Sequence, residues 1–454
     1  MTTTDSQDFR SAQKALRWFI DEIGEAEWHR RRKKVVDYFN SLKARSAAER
    51  PTVDDPSAIP FDPIAVYSDW LSWYMYLIES QTERLGCDDP NQSARIYYFF
   101  VLIGSSIDAL IKMEGIEKRM SALFHENKNQ PDSVFYELAV AILYHRNGWK
   151  VRFVDETSTK KTPDLEVTKG AKKYWVECKR LAKVNDYAEH ERQEWMKRSM
   201  HLFNAMSLFE PNCFAEVIFK KPIEETELII LGAAFAAYIN QGKLNNGAWL
   251  SNEYIDFKAR RLNLDRINTE LSESSTRPTA PLMLKLILEE YDIEGNYAHA
   301  MQPSMLEIAR PDDQLAVLNE FYGGLKEVNI AKWDCTATES LVKKAKDIKR
   351  NLSRALDQIP EEGEGIIHIG YETATGPAVE AERYKKINAT IRSFGFGNKT
   401  IAAIYCNAFQ MRPGIYDYDC AETVLYYLRE PVLTEPLLFN SHMVSSTAGT
   451  HWSE

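Results

Sequence analysis

The chain has 454 residues, 44% hydrophobic and 27% charged, and carries a formal net charge of −10 from 56 basic and 66 acidic side chains. That length exceeds one ordinary core and predicts two or three structural units. The acidic balance excludes indiscriminate coating of nucleic acid by the whole surface, though not a local basic groove, and the many Trp and Tyr residues exclude a disordered chain.

Residues 1–128 read as a helical N-terminal domain. FRSAQKALRWFIDEI and HRRRKKVVDYFNSLKAR carry apolar residues at helical spacing, and ERPTVDDPSAIPFDP (49–63) is a connector rich in Pro and Asp. YSDWLSWYMYLIESQTERL and QSARIYYFFVLIGSSIDALIKM follow as two longer helices, whose aromatic residues are expected in the core rather than on a stacking platform. The most apolar run, 96–111, is interrupted by Ser105, Ser106 and Asp108 and falls short of the roughly 20 residues of a membrane span. No secretory signal is read in MTTTDSQDFRSAQ, and the six scattered cysteines form no CxxC pair. No membrane association, a reducing cytoplasmic setting and neither zinc ribbon nor disulfide framework are therefore expected.

The pattern changes near residue 129. DSVFYELAVAILYHRNGWKVRFV (132–154) reads as a helix, a stop at Asn147–Gly148 and a strand. TPDLEV and KKYWVECKR are two further strands joined by the turn-like TKGAK. Residues 182–335 mix elements: CFAEVIFKKP and LMLKLILEEYDI look like strands, ETELIILGAAFAAYINQG like a helix. ESLVKKAKDIKRNLSRALDQIP (339–360) is predicted as one amphipathic helix ended by Pro360. GIIHIGY then reads as a buried strand, AVEAERYKKINATIRSF as a helix and TIAAIYCNAF as a strand, the alternation of a mixed α/β layer. Residues 431–454 read as a loose polar tail.

Chemistry concentrates in the two strands after the helix stop. In YWVECKR, Glu177 and Lys179 share one face by the period of two, and Tyr174, Val176 and Cys178 share the other. Asp164 and Glu166 likewise lie opposite Leu165 and Val167. Paired as a hairpin, the strands bring Asp164 and Glu177 together. Two acids crowded in this way repel each other unless a cation sits between them. A divalent ion with oxygen ligands answers that need, with the Cys178 backbone carbonyl as a further ligand, Lys179 placed to orient or deprotonate a water, and Glu137 on the preceding helix able to face the same ion. The separate pieces are common, with three Pro-Asp pairs and four acidic-x-Lys triplets in the chain. Only one Pro-Asp precedes an acidic-x-Lys at strand–turn–strand spacing.

The set Glu137…Pro163-Asp164…Glu177-Cys178-Lys179 resembles the active-site signature of the PD-(D/E)XK nuclease superfamily. That resemblance implies a restriction-endonuclease-like mixed central sheet flanked by helices, here spanning 129–430 and interrupted by an insertion at about 182–335. It implies hydrolysis of phosphodiesters with Mg²⁺, for which Mn²⁺ would substitute. Asp164 and Glu177 would be metal ligands, Glu137 an additional one, and Lys179 the group that assists the attacking water. DNA, endonucleolytic cutting and a role in restriction or anti-phage defence are expected by the same analogy. Lys343, Lys346, Lys349, Arg350 and Arg354 form a local basic stripe that, with Arg180, is the candidate nucleic-acid surface, and HRRRKK (29–34) is a second basic cluster. No Walker A loop is present, since GFGNKT has the wrong spacing. The competing readings are a nucleic-acid-binding module that lacks cleavage or needs a partner for it, and an interaction scaffold in which the N-terminal helices bind a regulatory protein or form a homodimer seam.

Overall fold

In the computed structural model, which describes residues 7–48, 67–82, 89–155, 161–181, 186–278, 280–308, 320–415, 417–440, 442–444 and 449–453, the chain builds two mixed β-sheets flanked by helices. The predicted connector at 49–63 and Cys87 lie outside the described residues. Helices α1 (Gln7–Ile23), α2 (Glu25–Ala48), α3 (Trp70–Thr82), α4 (Pro90–Ser105), α5 (Ile107–Leu110), α6 (Ile116–Phe124) and α7 (Pro131–Arg146) come first. Strands β1 (Lys150–Phe153), β2 (Leu165–Lys169) and β3 (Lys172–Arg180) lead into α8 (Asp186–Phe209), β4 (Cys213–Phe219), α9 (Ile230–Asn240), β5 (Leu250–Ser251), β6 (Ile255–Arg261), α10 (Leu264–Glu273), α11 (Pro281–Leu288), β7 (Asn296–Ile308) and β8 (Glu320–Cys335). The chain then runs through α12 (Thr338–Lys344), α13 (Lys349–Gln358), β9 (Glu364–Glu372), α14 (Pro377–Ser393), β10 (Thr400–Pro413) and β11 (Tyr418–Leu428).

The first sheet has the order β1-β2-β3-β9-β10-β11. Strands β1, β2 and β3 are an antiparallel meander, β3, β9 and β10 run parallel, and β11 returns antiparallel. Strand β9 is buried from Gly365 to Tyr371, as a parallel strand covered on both faces must be. On one face, Leu16, Phe19, Phe100, Phe135 and Leu138 join Val151, Val167, Val176 and Tyr405 in one continuous core. The segment expected as a separate domain over 1–128 therefore shares its core with the sheet. Its aromatic residues are buried as expected, Trp73, Tyr74 and Tyr76 among them. On the other face, Leu352 and Ala355 of α13 and Ile387 and Ile391 of α14 cover Ile367, Ile369 and Ile404.

The second sheet, order β5-β6-β4-β8-β7, is built entirely between β3 and β9, two neighbours of the first sheet. It has its own apolar clusters, one under α8 and α9 and one under α10 and α11. LMLKLIL, expected as a strand, is helix α11. Pro281 starts it and Met283, Ile287 and Leu288 bury one side, a pattern that so short an apolar run does not distinguish from a strand.

Two further expectations are corrected. The predicted helix 339–360 is two helices, broken after Lys344. The Asp347 carboxylate accepts the Ile348 amide at 2.7 Å, the bond a continuous helix would have given to the Lys344 carbonyl, and it also accepts the Thr390 hydroxyl at 2.9 Å. The tail beyond residue 430 is packed: Leu438 and Phe439 are fully buried, and Leu433, Met443 and Trp452 nearly so. The Asn147 side chain, just past the end of α7, accepts the Thr434 and Glu435 amides at 2.9 and 3.0 Å. Glu422 of β11 accepts those of Leu438 and Phe439 at 2.9 and 3.1 Å.

Burial pushes the Glu422 carboxyl up to about 7, against the pull of the amides it accepts. A carboxyl raised in the folded state holds its proton longer than in the unfolded chain, so its contribution to stability is full at low pH and is lost as pH rises toward 7. Between about pH 4.5 and 7 that loss reaches about 3 kcal/mol. Urea midpoints measured across this window should fall more steeply in the native protein than in Glu422→Gln, which has no proton to lose. Among the described residues, no helix is long and apolar enough to cross a membrane.

Candidate active site

Strands β2 and β3 pair with Leu165 opposite Val176, and one further step of that register sets Asp164 opposite Glu177, at the end of the hairpin away from its turn. Asp164 Oδ2 accepts the Cys178 amide at 2.8 Å, which fixes the carboxylate against β3. The amide and carbonyl of a strand residue point the same way, so the Cys178 carbonyl faces this same edge. Glu177 is completely buried. Its Oε1 accepts from Lys179 Nζ, while among the described residues Oε2 has no hydrogen-bond partner. Burial first, and then the Asp164 charge, push the Glu177 carboxyl up to about 9. Burial pulls the Lys179 ammonium down, but the charge and hydrogen bond of Glu177 together with the Asp164 charge outweigh it and leave the group above its ordinary value.

Lys179 Nζ also donates to Gln358 Oε1 at 2.7 Å, and Gln358 Nε2 donates to the Thr162 carbonyl at 3.0 Å. Gln358, in the last turn of α13, thus links Lys179 to the segment leading into β2. Gln358→Ala is expected to release Lys179 and lower the rate of any Lys179-assisted reaction about tenfold, with little change in stability. A rate equal to that of the native protein would show that Glu177 alone positions the amine. Glu166, on the same strand as Asp164, is not part of the site: it pairs with Arg152 at 2.6 Å and Lys173 at 2.9 Å.

Glu137 comes to the same region from α7. That helix can approach β9 because residue 370 is glycine: a Cβ there would stand 2.4 Å from the Tyr136 ring. Glu137 Oε2 lies 3.0 Å from Arg119 Nη1, and Arg119 Nη2 lies 3.9 Å from Asp164 Oδ1. Arg119 sits on α6, which starts at Gly115 with φ +86°, where a Cβ would meet the Phe153 carbonyl at 2.6 Å. Among the described residues, no group of three or more His, Cys, Asp and Glu side chains is close enough to hold a metal ion. The three carboxylates gather at the strand ends without closing into a shell, and a guanidinium spans two of them. The donor set nevertheless suits a hard, oxygen-ligated cation, and the buried partnerless oxygen of Glu177 is the acceptor such an ion would satisfy.

No family model, no curated protein and no solved structure matches this chain. What its site does is therefore read from its own residues.

The proposed nucleic-acid contacts divide. Arg180 is enclosed, its side chain 4% exposed, paired with Glu372 and lying 4.4 Å over the Phe409 ring, a place closed to a phosphate backbone. The basic stripe is split by the break after α12. Lys343 lies over the Tyr187 ring, Lys344 pairs with Glu191 at 2.9 Å, and Lys346 is half-buried in the break. Lys349, Arg350 and Arg354 are exposed on α13. Arg350, Arg354 and Gln358 follow one another at intervals of four, one side of the helix leading to Lys179. In the HRRRKK cluster, Arg30 and Arg31 bind Glu27, Arg32 binds Glu79 and Lys33 binds Asp37.

Arg119 is the site residue that sequence reading missed. Its signal was present but faint: Ile116, Met120 and Leu123 form the buried stripe of α6, and Arg119 falls within it. A charge on an apolar stripe requires a buried partner of opposite sign.

Proposed function

We propose that this chain is a divalent-metal-dependent nuclease whose first sheet is a restriction-endonuclease-like core. One observation carries the reading. Asp164 and Glu177 face each other across two paired strands, the second with a buried partnerless oxygen, beside a lysine held by a glutamine. Asp164, Glu177 and the Cys178 carbonyl would hold Mg²⁺ or Mn²⁺, with Glu137 as a further carboxylate. The bound ion would supply charge neutralisation and a more acidic water. With Glu177 ionised as a metal ligand, its charge would keep the proton on Lys179, which would then act as an ammonium rather than as a base. It adds positive charge where the attacked phosphate gains negative charge. Gln358 holds that ammonium in position, and Arg354 and Arg350 extend a basic track from it along α13 for the substrate backbone.

By the family analogy the substrate is DNA, cut internally, in a restriction or defence setting. Incubating the protein with linear, circular and single-stranded DNA and with RNA, each in Mg²⁺, Mn²⁺ or EDTA, tests the reading. Cutting of circular DNA that EDTA abolishes is the expected result. Absence of cutting on every substrate, together with absence of Mn²⁺ binding by calorimetry, would overturn it.

A further inference from the structure

Arg119 is a cation already standing among the acids of the site. Its two terminal nitrogens reach Glu137 Oε2 at 3.0 Å and Asp164 Oδ1 at 3.9 Å, and its side chain is 7% exposed. It comes from α6, outside the helix–strand–strand unit that carries Glu137, Asp164, Glu177 and Lys179. Asp164 is held independently through its other oxygen on the Cys178 amide, so its position does not depend on Arg119. A divalent ion binds carboxylate oxygens at about 2.1 Å. An ion shared by Glu137 and Asp164 would need the space that the guanidinium spans, and the two cations would repel each other at that distance.

The geometry points to an exchange. Arg119 is a resident counter-ion that competes with the divalent cation for Glu137 and Asp164, so that metal loading and withdrawal of the Arg119 guanidinium are one event. This inference rests on the nuclease reading and adds a control to it. Without metal, the guanidinium compensates buried carboxylates. With metal, part of the binding free energy is used to break that contact, which lowers the apparent affinity.

The test is Mn²⁺ titration of the full chain by calorimetry, with thermal melting in EDTA and in saturating Mn²⁺. Arg119→Gln is expected to bind Mn²⁺ about tenfold more tightly than the native protein, the size of a typical coupling between two sites. It should also melt lower in EDTA and gain more from Mn²⁺. Arg119→Lys keeps the charge but cannot fork across two carboxylates, so its affinity should fall between the two. If Arg119→Gln does not fold, Arg119→Lys alone decides: affinity no tighter than native would sink the exchange. Equal or weaker binding by Arg119→Gln, with binding still lost in Asp164→Ala, would overturn the exchange and leave the nuclease site standing. Failure of the native protein and every variant to bind Mn²⁺ would overturn both.

Discussion

Asp164→Ala and Lys179→Ala should each reduce metal-dependent cleavage by about 10²–10³-fold, and for different reasons that binding measurements separate. On the nuclease reading, Asp164 would supply an oxygen to the metal, so its loss should remove Mn²⁺ binding along with activity. Lys179 touches Glu177 and Gln358 and, on the same reading, would not be a ligand. Its loss should leave Mn²⁺ binding within a few fold of native, while removing a positive charge that acts on the transition state in a low-dielectric site. Removing one such preorganised group costs about 10²–10³ in rate. Cleavage that survives in both variants would place the chemistry elsewhere in the molecule.

Arg95→Ala should lower stability by about 3–5 kcal/mol, the cost of removing one side of a buried ion pair. Arg95 Nε donates to both Glu372 oxygens at 2.9 and 3.0 Å, Nη2 donates to Asp132 Oδ2 at 2.8 Å, and Nη1 donates to Tyr74 Oη at 2.7 Å. One side chain thus joins α3, α4, α7 and the end of β9, and its removal leaves Glu372 with Arg180 and Asp132 with Tyr74. The urea midpoint is the measurement, and a change below 1 kcal/mol would show that solvent compensates these carboxylates. Because Asp132 lies on α7 five residues before Glu137, a milder version of the defect should also loosen Mn²⁺ binding.

Much of the first sheet was legible because its signals are local. The period of two in PDLEV and YWVECKR set which residues share a face, and the turn at TKGAK set the hairpin, so the meeting of Asp164 with Glu177 followed from register alone. Asn147–Gly148 ended a helix where backbone chemistry says it should. Other elements were misread for equally local reasons. LMLKLIL is too short for its period to separate helix from strand, and Asp347 diverts an amide in a way no hydrophobic pattern records. The tail reads as polar because its few apolar residues have no periodicity, and yet Leu438 and Phe439 are fully buried.

The sequence by itself determined the chemical identity of the candidate site, because strand alternation and a short turn leave few ways to place Asp164, Glu177 and Lys179. Tertiary structure alone decided which groups surround them. Arg119, 45 residues before Asp164, and Gln358, 179 residues after Lys179, reach the site through packing of α6 and α13 against the sheet. It also decided that Arg180 is enclosed while Arg350 and Arg354 stay exposed. These outcomes depend on contacts between residues far apart in the chain, whose cost and benefit no local pattern encodes. A guanidinium becomes a counter-ion, a structural tie or a substrate contact according to the burial and the charges that folding places around it.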